Sequence, residues 1–417
     1  MAFVGTVVPD EPRYRTPAFN RAGNNSQQQL VKGLSAEGIS DIEVFSAPPI
    51  PAFPRSRKLW STSAVEQLDP AIPVRLLAFP NVTPLKQVVI GIGVLGSLAW
   101  WGWRKRSTND RVVLTYNLSV PPGPFTWIGA RLARAKAVAF VNDVYVSGTT
   151  VPGSTLRRFD VWLQRWILPR FDGHLVVSDD IAADFFPGLP YLRIEGGVAP
   201  AFFAWTRRAH GTPREPGKPF VMVYAGELDQ INGIPILLEA LRLSRRDDLR
   251  LRVAGAGPLL QVVQNAALQD SRIEYLGLLD HNAVAKLYAS ADLLLNVRLT
   301  KAIDTRYFFP SKLVEYLASG VPTVTTNVGH IRSEFAGTVY MLDDESPNGL
   351  VELITHVASQ EPHVRSARAQ KARELAERHY SWKAQAARIA EYLRKVVLTG
   401  GVTRSAANGR SQPHTRR

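Results

Sequence analysis

The chain has 417 residues, of which 45% are hydrophobic and 21% charged, a balance typical of a globular protein large enough for two domains. It contains no cysteine, which excludes disulfide bonds and thiolate metal sites. Lysine and arginine exceed the acidic residues by 14 charges, and this surplus indicates anionic partners. Nucleic acid is disfavoured among them, because no zinc-finger spacing, RNA-binding aromatic motif or recognition helix is evident.

Short β-rich segments alternate with helical ones in the first half of the chain. AFVGTVV, IEVFSA, RVVLTYN, VAFVND and GHLVVSD predict strands, and SQQQLVKGLSAEG and FTWIGARLARAKA predict helices between them. This order argues for a parallel sheet covered by helices on both faces. Gly23, Asn24 and Asn25 are interpreted as a loop after the first strand, either an ordinary turn or a loop whose amides approach a phosphate.

One segment of the first half is apolar enough to be considered for contact with a membrane. The run from Val88 to Trp103 has sixteen uncharged residues, whereas a span needs roughly 20. A buried helix, a helix docked at the membrane interface and a true span all remain open. The end of the run resembles an interfacial anchor, and we expect six residues there to contact a membrane: Trp100, Trp101, Trp103, Arg104, Lys105 and Arg106.

A stretch rich in proline, glycine and basic residues interrupts the pattern before strands and helices resume, and SWKAQAARIAEYLRKVV near the end has apolar residues at helical spacing. The predicted organisation therefore has five parts. These are an N-terminal Rossmann-like domain (1–206), a linker (207–219), a second Rossmann-like domain (220–380), a C-terminal helix (381–399) and a disordered basic tail (400–417).

The segment FFPSKLVEYLASGVP predicts a helix that is capped by Ser311 and ended by Gly320. Lys312 stands in its first turn, where the helix dipole is already positive. One interpretation is a solvated helix face on which Lys312 and Glu315 form a weak pair. The other is an anion site at the carboxyl edge of a parallel sheet, and the position of the helix after a strand favours it.

FFPSKLVEYLASGVPTV resembles the donor-binding segment of GT-B glycosyltransferases, specifically the retaining family 4. FVMVYAGELDQINGIPILLEAL and LRVAGAGPL are similar to the opening of that family's C-terminal domain, and the first half is similar more loosely. The resemblance implies an α/β GT-B fold: two doubly wound Rossmann-like domains facing a cleft, with the C-terminal helix crossing back to the first domain. It also implies transfer of a sugar from a nucleoside diphosphate to an acceptor hydroxyl, with retention of anomeric configuration.

The resemblance also implies the roles of individual residues. Arg298 and Lys312, with the amides of Ser311 and Lys312, are expected to bind the donor diphosphate, and Glu315 the donor ribose. Arg298 directly follows a strand, and a surface arginine is the alternative. Asp143 is expected to orient the acceptor hydroxyl or take its proton, with a turn aspartate as the alternative. Asp143, Lys312 and Arg298 are thus the expected catalytic residues, and three further residues are expected to contact the donor: Gly226, Pro310 and Leu313.

The sequence departs from the family at three positions. A glutamate usually stands eight positions before the ribose-binding glutamate, where this chain has Tyr307. The glycine loop usually carries an arginine and a lysine, where this chain has Glu227 and Asn232. Asp304 and Arg306 are candidates to compensate. No Asp-x-Asp sequence is present and no histidines fall at metal-ligand spacing, so we expect neither a metal site nor a cofactor besides the nucleotide-sugar substrate.

The enzymes that this sequence resembles build bacterial exopolysaccharides and lipid-linked glycans. The expected partners are therefore a nucleotide-sugar donor, a glycan or lipid-linked acceptor and an anionic membrane surface, without nucleic acid. The expected location is cytoplasmic, peripheral on the inner face of the plasma membrane, because no signal peptide is evident. Two alternatives remain: a non-catalytic nucleotide-binding scaffold of a membrane glycan-assembly complex, and a nucleotide-sugar epimerase.

Overall fold

The computed structural model describes residues 1–16, 19–118, 123–144, 155–207 and 217–398. The chain divides into two compact units. The N-terminal unit comprises residues 1–195 together with residues from 385 onward, and the C-terminal unit comprises residues 196–384.

The regular elements alternate along both units. The strands are β1 (Ala2–Gly5), β2 (Glu43–Ser46), β3 (Trp60–Ser61), β4 (Ala64–Asp69), β5 (Ile72–Leu76), β6 (Phe79–Pro80), β7 (Val112–Tyr116), β8 (Lys136–Val141), β9 (Gly173–Val176), β10 (Tyr191–Arg193), β11 (Phe220–Glu227), β12 (Leu249–Ala256), β13 (Ile273–Tyr275), β14 (Leu293–Asn296), β15 (Thr323–Thr326) and β16 (Tyr340–Leu342). The helices are α1 (Arg21–Ala36), α2 (Leu85–Arg104), α3 (Gly123–Leu132), α4 (Thr155–Ile167), α5 (Asp179–Phe185), α6 (Pro200–Arg207), α7 (Ile234–Leu243), α8 (Leu260–Gln269), α9 (His281–Ala289), α10 (Ser311–Ser319), α11 (Ile331–Phe335), α12 (Pro347–Ser359), α13 (Pro362–His379) and α14 (Trp382–Leu398). Short 3₁₀ helices lie at Pro12–Tyr14, Leu168–Arg170, Thr300–Ala302 and Thr305–Tyr307.

The N-terminal unit is built on a sheet with the strand order β10-β9-β8-β7-β1-β2-β5-β4. Every neighbouring pair is parallel except β4, which runs antiparallel to β5 at the edge. The predicted parallel sheet is confirmed. The sequence did not predict β4, because this edge strand is mostly exposed and carries no buried hydrophobic alternation. It also did not predict the two-residue strands β3 and β6, which pair with each other outside the main sheet.

Helices cover both faces of this sheet. Parallel strands are joined by right-handed crossovers, so α2, α3 and α4 fall on one face and α1 on the other. Residues of α14 pack into the same unit: the Tyr392 hydroxyl donates to the carbonyl of Pro190 at 2.9 Å and accepts from the amide of His174 at 3.0 Å. Arg394 donates to the carbonyl of Glu37, just after α1, at 2.6 Å.

Of the described helices, α2 alone is long and apolar enough to cross a membrane, and 33% of its most apolar window is buried. It packs closely on α3, because a Cβ at Gly91 would overlap the ring of Phe125 and a Cβ at Gly102 would overlap Ala133. One side of α2 is therefore embedded in the unit and the other is exposed. The expectation that Trp101 contacts a membrane is wrong, since its side chain is 1% exposed on the embedded side.

The C-terminal unit has a wholly parallel sheet with the order β13-β12-β11-β14-β15-β16. Its core is apolar side chains of the central strands and of α7 and α12, including Met222, Leu237 and Leu350. At the carboxyl ends of β11 and β12, Gly226 lies opposite Gly255. Gly255 has a φ of +139°, and a Cβ there would overlap the carbonyl oxygen of Gly226, so only glycine fits.

The boundary between the units lies between Glu195 and Gly196, earlier than the predicted domain end at 206 and the predicted linker at 207–219. The reason is that α6 packs within the C-terminal unit, where Phe202 meets the ring of Tyr288 at 6.1 Å between centroids. Most of the predicted linker, and the predicted basic tail at 400–417, lie outside the described residues.

A buried arginine ties α6 to α10 and α13. The guanidinium of Arg373 donates to the hydroxyl of Thr206 at 2.9 Å and to the carbonyls of Phe203 at 2.6 Å and Ala318 at 3.0 Å. The carbonyl of Ala318 belongs to the last turn of α10, where a helix has no internal donor and favours a cation. One side chain on α13 thus links α6 and α10.

Replacing Arg373 with methionine should destabilise the C-terminal unit, because it removes the charged donor from the buried carbonyls of Phe203 and Ala318. We expect a loss of about 3 kcal/mol or more, and a fall in melting temperature of about 2–4 °C per kcal/mol. Circular dichroism during heating measures it. Arg242→Met is the control, since Arg242 is exposed and pairs only with Glu239 on the same helix. Equal melting temperatures for the two variants would contradict this role of Arg373.

Candidate functional site

The carboxyl edge of the C-terminal sheet brings together three segments: the end of β11, the residues after β14 and the start of α10. The buried side of α10 fixes its position. Leu313, Val314 and Leu317 are at most 2% exposed, as the sequence predicts. The Tyr316 hydroxyl accepts a hydrogen bond from the amide of Ala225 at 3.2 Å, which holds the helix against the last residues of β11.

The start of α10 differs from the expectation. Ser311 is not the N-cap but the first helical residue, and Pro310 takes the cap position. Pro310 has no side-chain acceptor, so the amides of the first turn receive no cap from it. Gly320 ends the helix in the left-handed conformation (φ +72°), as predicted. Leu313 was expected to contact the nucleotide-sugar donor, but its side chain is fully buried and is not accessible to a ligand.

Lys312 points across the end of β11. A Cβ on Gly226 would overlap its ammonium nitrogen, which also lies 5.9 Å from the centre of the Tyr224 ring. Burial lowers the pKa of Lys312, and the positive charge of Arg298 lowers it further while Glu315 opposes the shift. Among the described residues, Lys312 has no carboxylate within ion-pair distance. Its charge is therefore partly desolvated without a direct counter-ion.

Arg298 lies beside Lys312 and is also short of partners. Its guanidinium carbon stands 3.8 Å from the centre of the Phe308 ring, which fixes the plane of the group. Its Nε is buried and has no hydrogen-bond acceptor among the described residues. Burial lowers the pKa of Arg298, although a guanidinium keeps its charge in proteins. Two neighbouring cations without ion pairs form a site suited to an anion.

Glu315 occupies the next turn of α10, on the same side as Lys312. Burial raises the pKa of Glu315, while His281 and Lys312 act in the opposite direction. The polar side of α10 is thus not a solvated face, because both of its charged groups are partly withdrawn from water. The sequence did not single out His281, which is the first residue of α9; its position after the N-cap Asp280 was the available signal.

The departures from the family pattern have structural explanations. Tyr307 is 7% exposed, so its ring is part of the packing. Asn232 donates to the carboxylate of Asp229 through its amide at 2.7 Å and its side chain at 2.8 Å, which closes the glycine loop. Asp304 caps the turn that contains Arg306 and pairs with its guanidinium at 2.9 Å, so both side chains have a role in the turn.

A cavity of about 330 Å³ lies within the N-terminal unit and is lined by Gly23, Asn24 and Asp143, among others. Asp143 follows β8, and its carboxylate accepts from the side-chain amide of Asn117 at 3.2 Å. Asn117 follows β7 in the left-handed conformation (φ +59°), which turns its side chain towards Asp143. Burial raises the pKa of Asp143, and the bond from Asn117 opposes that shift.

The expectation of a glycine loop at Gly23, Asn24 and Asn25 is wrong. All three lie near the start of α1, because Asn20 caps the helix by accepting from the amide of Gly23 at 2.9 Å. Asn24 accepts from the amide of Val8 at 2.8 Å and donates to its carbonyl at 3.1 Å. Asn24 therefore anchors the chain after β1 and is not available to bind a phosphate.

Lys86 is a cavity residue that the sequence analysis missed. It stands in the first turn of α2, donates to the carbonyl of Ile50 and packs on the ring of Phe79. Burial lowers the pKa of Lys86, and no carboxylate of the described residues pairs with it. The neighbouring Gln87 also lines the cavity, and its side-chain oxygen is buried without a donor among the described residues. A lysine at the positive end of a helix was the available signal.

The carboxyl edge of the C-terminal sheet, which we call the donor edge, predicts a pH dependence for the binding of a nucleoside diphosphate. Binding needs Lys312 protonated and Glu315 ionised. Since the pKa of Lys312 is lowered and that of Glu315 is raised, affinity should fall at both alkaline and acid pH, closer to neutrality than for ordinary side chains. Isothermal titration calorimetry over a pH series measures it. Lys312→Arg should remove the alkaline fall, because arginine does not titrate there.

Glu315→Gln is the matched variant for the acid limb, since the ligand's own phosphate titrates equally in both proteins. The acid fall that remains in this variant then belongs to the ligand. An alkaline fall that persists unchanged in Lys312→Arg would contradict the assignment of that limb to Lys312.

Comparison with known proteins relates part of this chain to glycosyltransferases. Residues 219–360 match the protein family described as Glycosyl transferases group 1. A stretch of 127 residues, 29% of this chain, is 28% identical to WcaL of Salmonella typhimurium (strain LT2), which is named for colanic acid biosynthesis. The stretch spans 31% of the length of WcaL.

Solved structures with a similar fold align with nearly the whole chain. Sucrose-phosphate synthase from Thermosynechococcus elongatus has a TM-score of 0.67 at 16% identity, covering 95% of this chain and 99% of that one. Anabaena HepE in complex with UDP-glucose has a TM-score of 0.62 at 14% identity, covering 94% and 99%. Identities this low establish the fold alone. The chain therefore has the GT-B fold, and the match to the Glycosyl transferases group 1 family covers its residues 219–360.

Proposed function

We propose that the chain is a retaining glycosyltransferase. It takes the sugar from a nucleoside-diphosphate donor bound at the C-terminal unit and transfers it to a hydroxyl of an acceptor bound in the cavity of the N-terminal unit. The observation that carries the proposal is the pair of partly buried cations, Arg298 and Lys312, at the carboxyl edge of a parallel sheet. Neither has a carboxylate within ion-pair distance among the described residues.

This arrangement is costly without a ligand, because each cation is partly desolvated and repels the other. A diphosphate removes both costs. It offers an acceptor to the buried Nε of Arg298, a counter-ion to Lys312 and a negative charge to the start of α10. Negative charge grows on the diphosphate as the glycosidic bond breaks, so these groups bind the transition state more strongly than the donor itself.

The remaining donor contacts follow from the same edge. Glu315 accepts hydrogen bonds from the two ribose hydroxyls, and the amides of Ser311 and Lys312 bind phosphate oxygens. In this proposal side chains and amides neutralise the diphosphate, so activity persists in the presence of a chelator. The similarity in fold to HepE, which binds UDP-glucose, supports a nucleotide sugar as donor.

Asp143 is the proposed acceptor-side residue. Its raised pKa and its hydrogen bond from Asn117 suit a carboxylate that orients a hydroxyl and receives its proton. Lys86 in the same cavity favours an acceptor that carries a negative charge, such as a lipid-linked glycan with its phosphates. The similarity to WcaL supports a role in polysaccharide assembly. We place the enzyme peripherally on the anionic inner face of the plasma membrane, in keeping with its net charge of +14.

A second candidate function is a nucleotide-binding scaffold without turnover. It is favoured by the buried Tyr307 at the usual glutamate position and by Asn232, whose side chain is engaged with Asp229. Both candidates bind a nucleoside diphosphate, which should raise the melting temperature of the protein by mass action. Only the enzyme releases nucleotide and forms a glycoside whose anomeric configuration, read by NMR, matches that of the donor.

Lys312→Ala should lower the turnover of donor by about 2–4 kcal/mol in transition-state stabilisation, which is roughly 30- to 1,000-fold. Nucleotide release measured by chromatography gives the rate. Lys286→Ala is the control, because Lys286 is exposed on α9, away from the donor edge. Equal turnover in the two variants would contradict the proposed site, and nucleotide binding without turnover in the wild type would favour the scaffold.

Asp143→Asn should slow sugar transfer by about 100-fold or more while leaving donor affinity unchanged, because an amide cannot take the proton of the acceptor hydroxyl. Transfer is followed with radiolabelled nucleotide sugar and a membrane extract as acceptor, and donor affinity by calorimetry. Asp69→Asn, on the exposed edge strand β4, is the control. A parallel loss of donor affinity would instead place Asp143 in the donor site.

A further inference from the structure

The outward side of helices α2, α3 and α4 carries large apolar side chains that the fold leaves uncovered. Six of them define what we call the α2–α4 face: Ile92, Trp103, Leu132, Phe159, Trp162 and Trp166. Five of these are more than half exposed, including Trp103 at 64% and Leu132 at 60%. Since α3 contacts both α2 and α4 on one side of the sheet, these side chains belong to one continuous helical layer.

The part of this face on α4 is a row of aromatic rings. Phe159 stacks on Trp162 at 5.6 Å between centroids, and Trp162 stacks on Trp166 at 6.3 Å. Their spacing of three and four residues places them on one side of the helix. The stacking orders the rings although Phe159 and Trp162 remain 57% and 56% exposed. A preorganised row of exposed aromatic side chains is typical of a binding surface.

Arginines accompany these rings. The guanidinium carbon of Arg170 lies 4.0 Å from the centre of the Trp166 ring, and that of Arg106 lies 5.4 Å from the Trp103 ring. The sequences of α2 and α3 contain no acidic residue, and α4 contains only Asp160, whose carboxylate accepts from Gln164 at 3.1 Å. The α2–α4 face is therefore both apolar and basic.

The opposite side of the same sheet differs. Among the described residues of α1 and α14, no large hydrophobic side chain is exposed. Exposed apolar side chains are thus not a general property of this unit's helices. They are concentrated on one side of the sheet, which indicates that this side has an occupant.

We infer that the α2–α4 face docks on an anionic phospholipid bilayer, with Phe159, Trp162 and Trp166 in the interface and arginines against lipid phosphates. Tryptophan and arginine are the residues that favour this depth of a membrane. A second copy of the chain is a poorer occupant, because two copies of this face would bring basic surfaces together with Asp160 as the one acidic residue in the sequences of its helices. The inference deepens the proposed function, which places the enzyme at a membrane, by naming the surface that makes the contact.

The test is flotation of the full chain with vesicles of phosphatidylcholine alone and of phosphatidylcholine containing phosphatidylglycerol. The wild type should float with the anionic vesicles and less with the neutral ones. The double variant Trp162→Ser with Trp166→Ser should lower the vesicle partition coefficient by about tenfold or more, because two interfacial aromatic side chains are lost. Its exposed positions should leave the melting temperature unchanged.

Two further variants separate the electrostatic contribution of the arginines to vesicle binding from that of any exposed apolar side chain. Arg106→Gln with Arg170→Gln should abolish the preference for anionic over neutral vesicles and its sensitivity to salt. Leu268→Ser, at a side chain 86% exposed in the C-terminal unit, removes an equally accessible apolar group elsewhere and should bind vesicles like the wild type. A Trp162/Trp166 variant that floats like the wild type would overturn the inference.

Self-association is measured in parallel by light scattering. A wild-type dimer that the Trp162/Trp166 variant converts to a monomer would also overturn the inference, since the face would then bind a second copy. Donor turnover without lipid distinguishes failure of the inference from failure of the proposed function. Turnover with no vesicle binding contradicts only the docking surface, and vesicle binding with no turnover contradicts only the proposed transferase activity.

Discussion

Two positive charges held side by side, with no carboxylate at ion-pair distance among the described residues, are the constraint on which the C-terminal unit's edge depends. Packing, and not pairing, positions them: the ring of Phe308 supports Arg298, and the buried side of α10 supports Lys312. Repulsion and desolvation would both move such groups into water. The helix must therefore be fixed firmly from below, which the bond between Tyr316 and Ala225 and the fully buried Leu313 achieve. The hydrophobic core thus holds two partly desolvated cations in place, and in the proposed function these cations bind an anion.

The sequence predicted most parallel strands of both sheets, because buried parallel strands are short and uniformly apolar, but it missed β5 and β10. It also predicted the buried side of α10 and the end of that helix at Gly320, because helical spacing and a left-handed glycine are local signals. The pairing of Arg298 with Lys312 was expected only through the family resemblance. The structure places the two cations together, whereas the sequence separates them by a loop with no regular pattern.

The errors arose where local signals compete. Ser311 has the chemistry of a cap, but Pro310 ends the extended segment one residue earlier. Asn20 is the actual cap of α1, so the first helical turn begins before Gly23. Trp101 lies among exposed neighbours in the sequence, but helical geometry turns it towards the sheet. The unit boundary was displaced because α6 packs through long-range contacts with α9 and α10, which no local pattern reveals.

The ends of β11 and β12 carry no side chains where Gly226 and Gly255 stand opposite each other. A side chain at Gly255 would overlap the backbone of Gly226, so this wall cannot change by point mutation at Gly255. In the proposed transferase, a change of donor preference would therefore arise from substitutions around Glu315 and His281, while Gly255 stayed glycine.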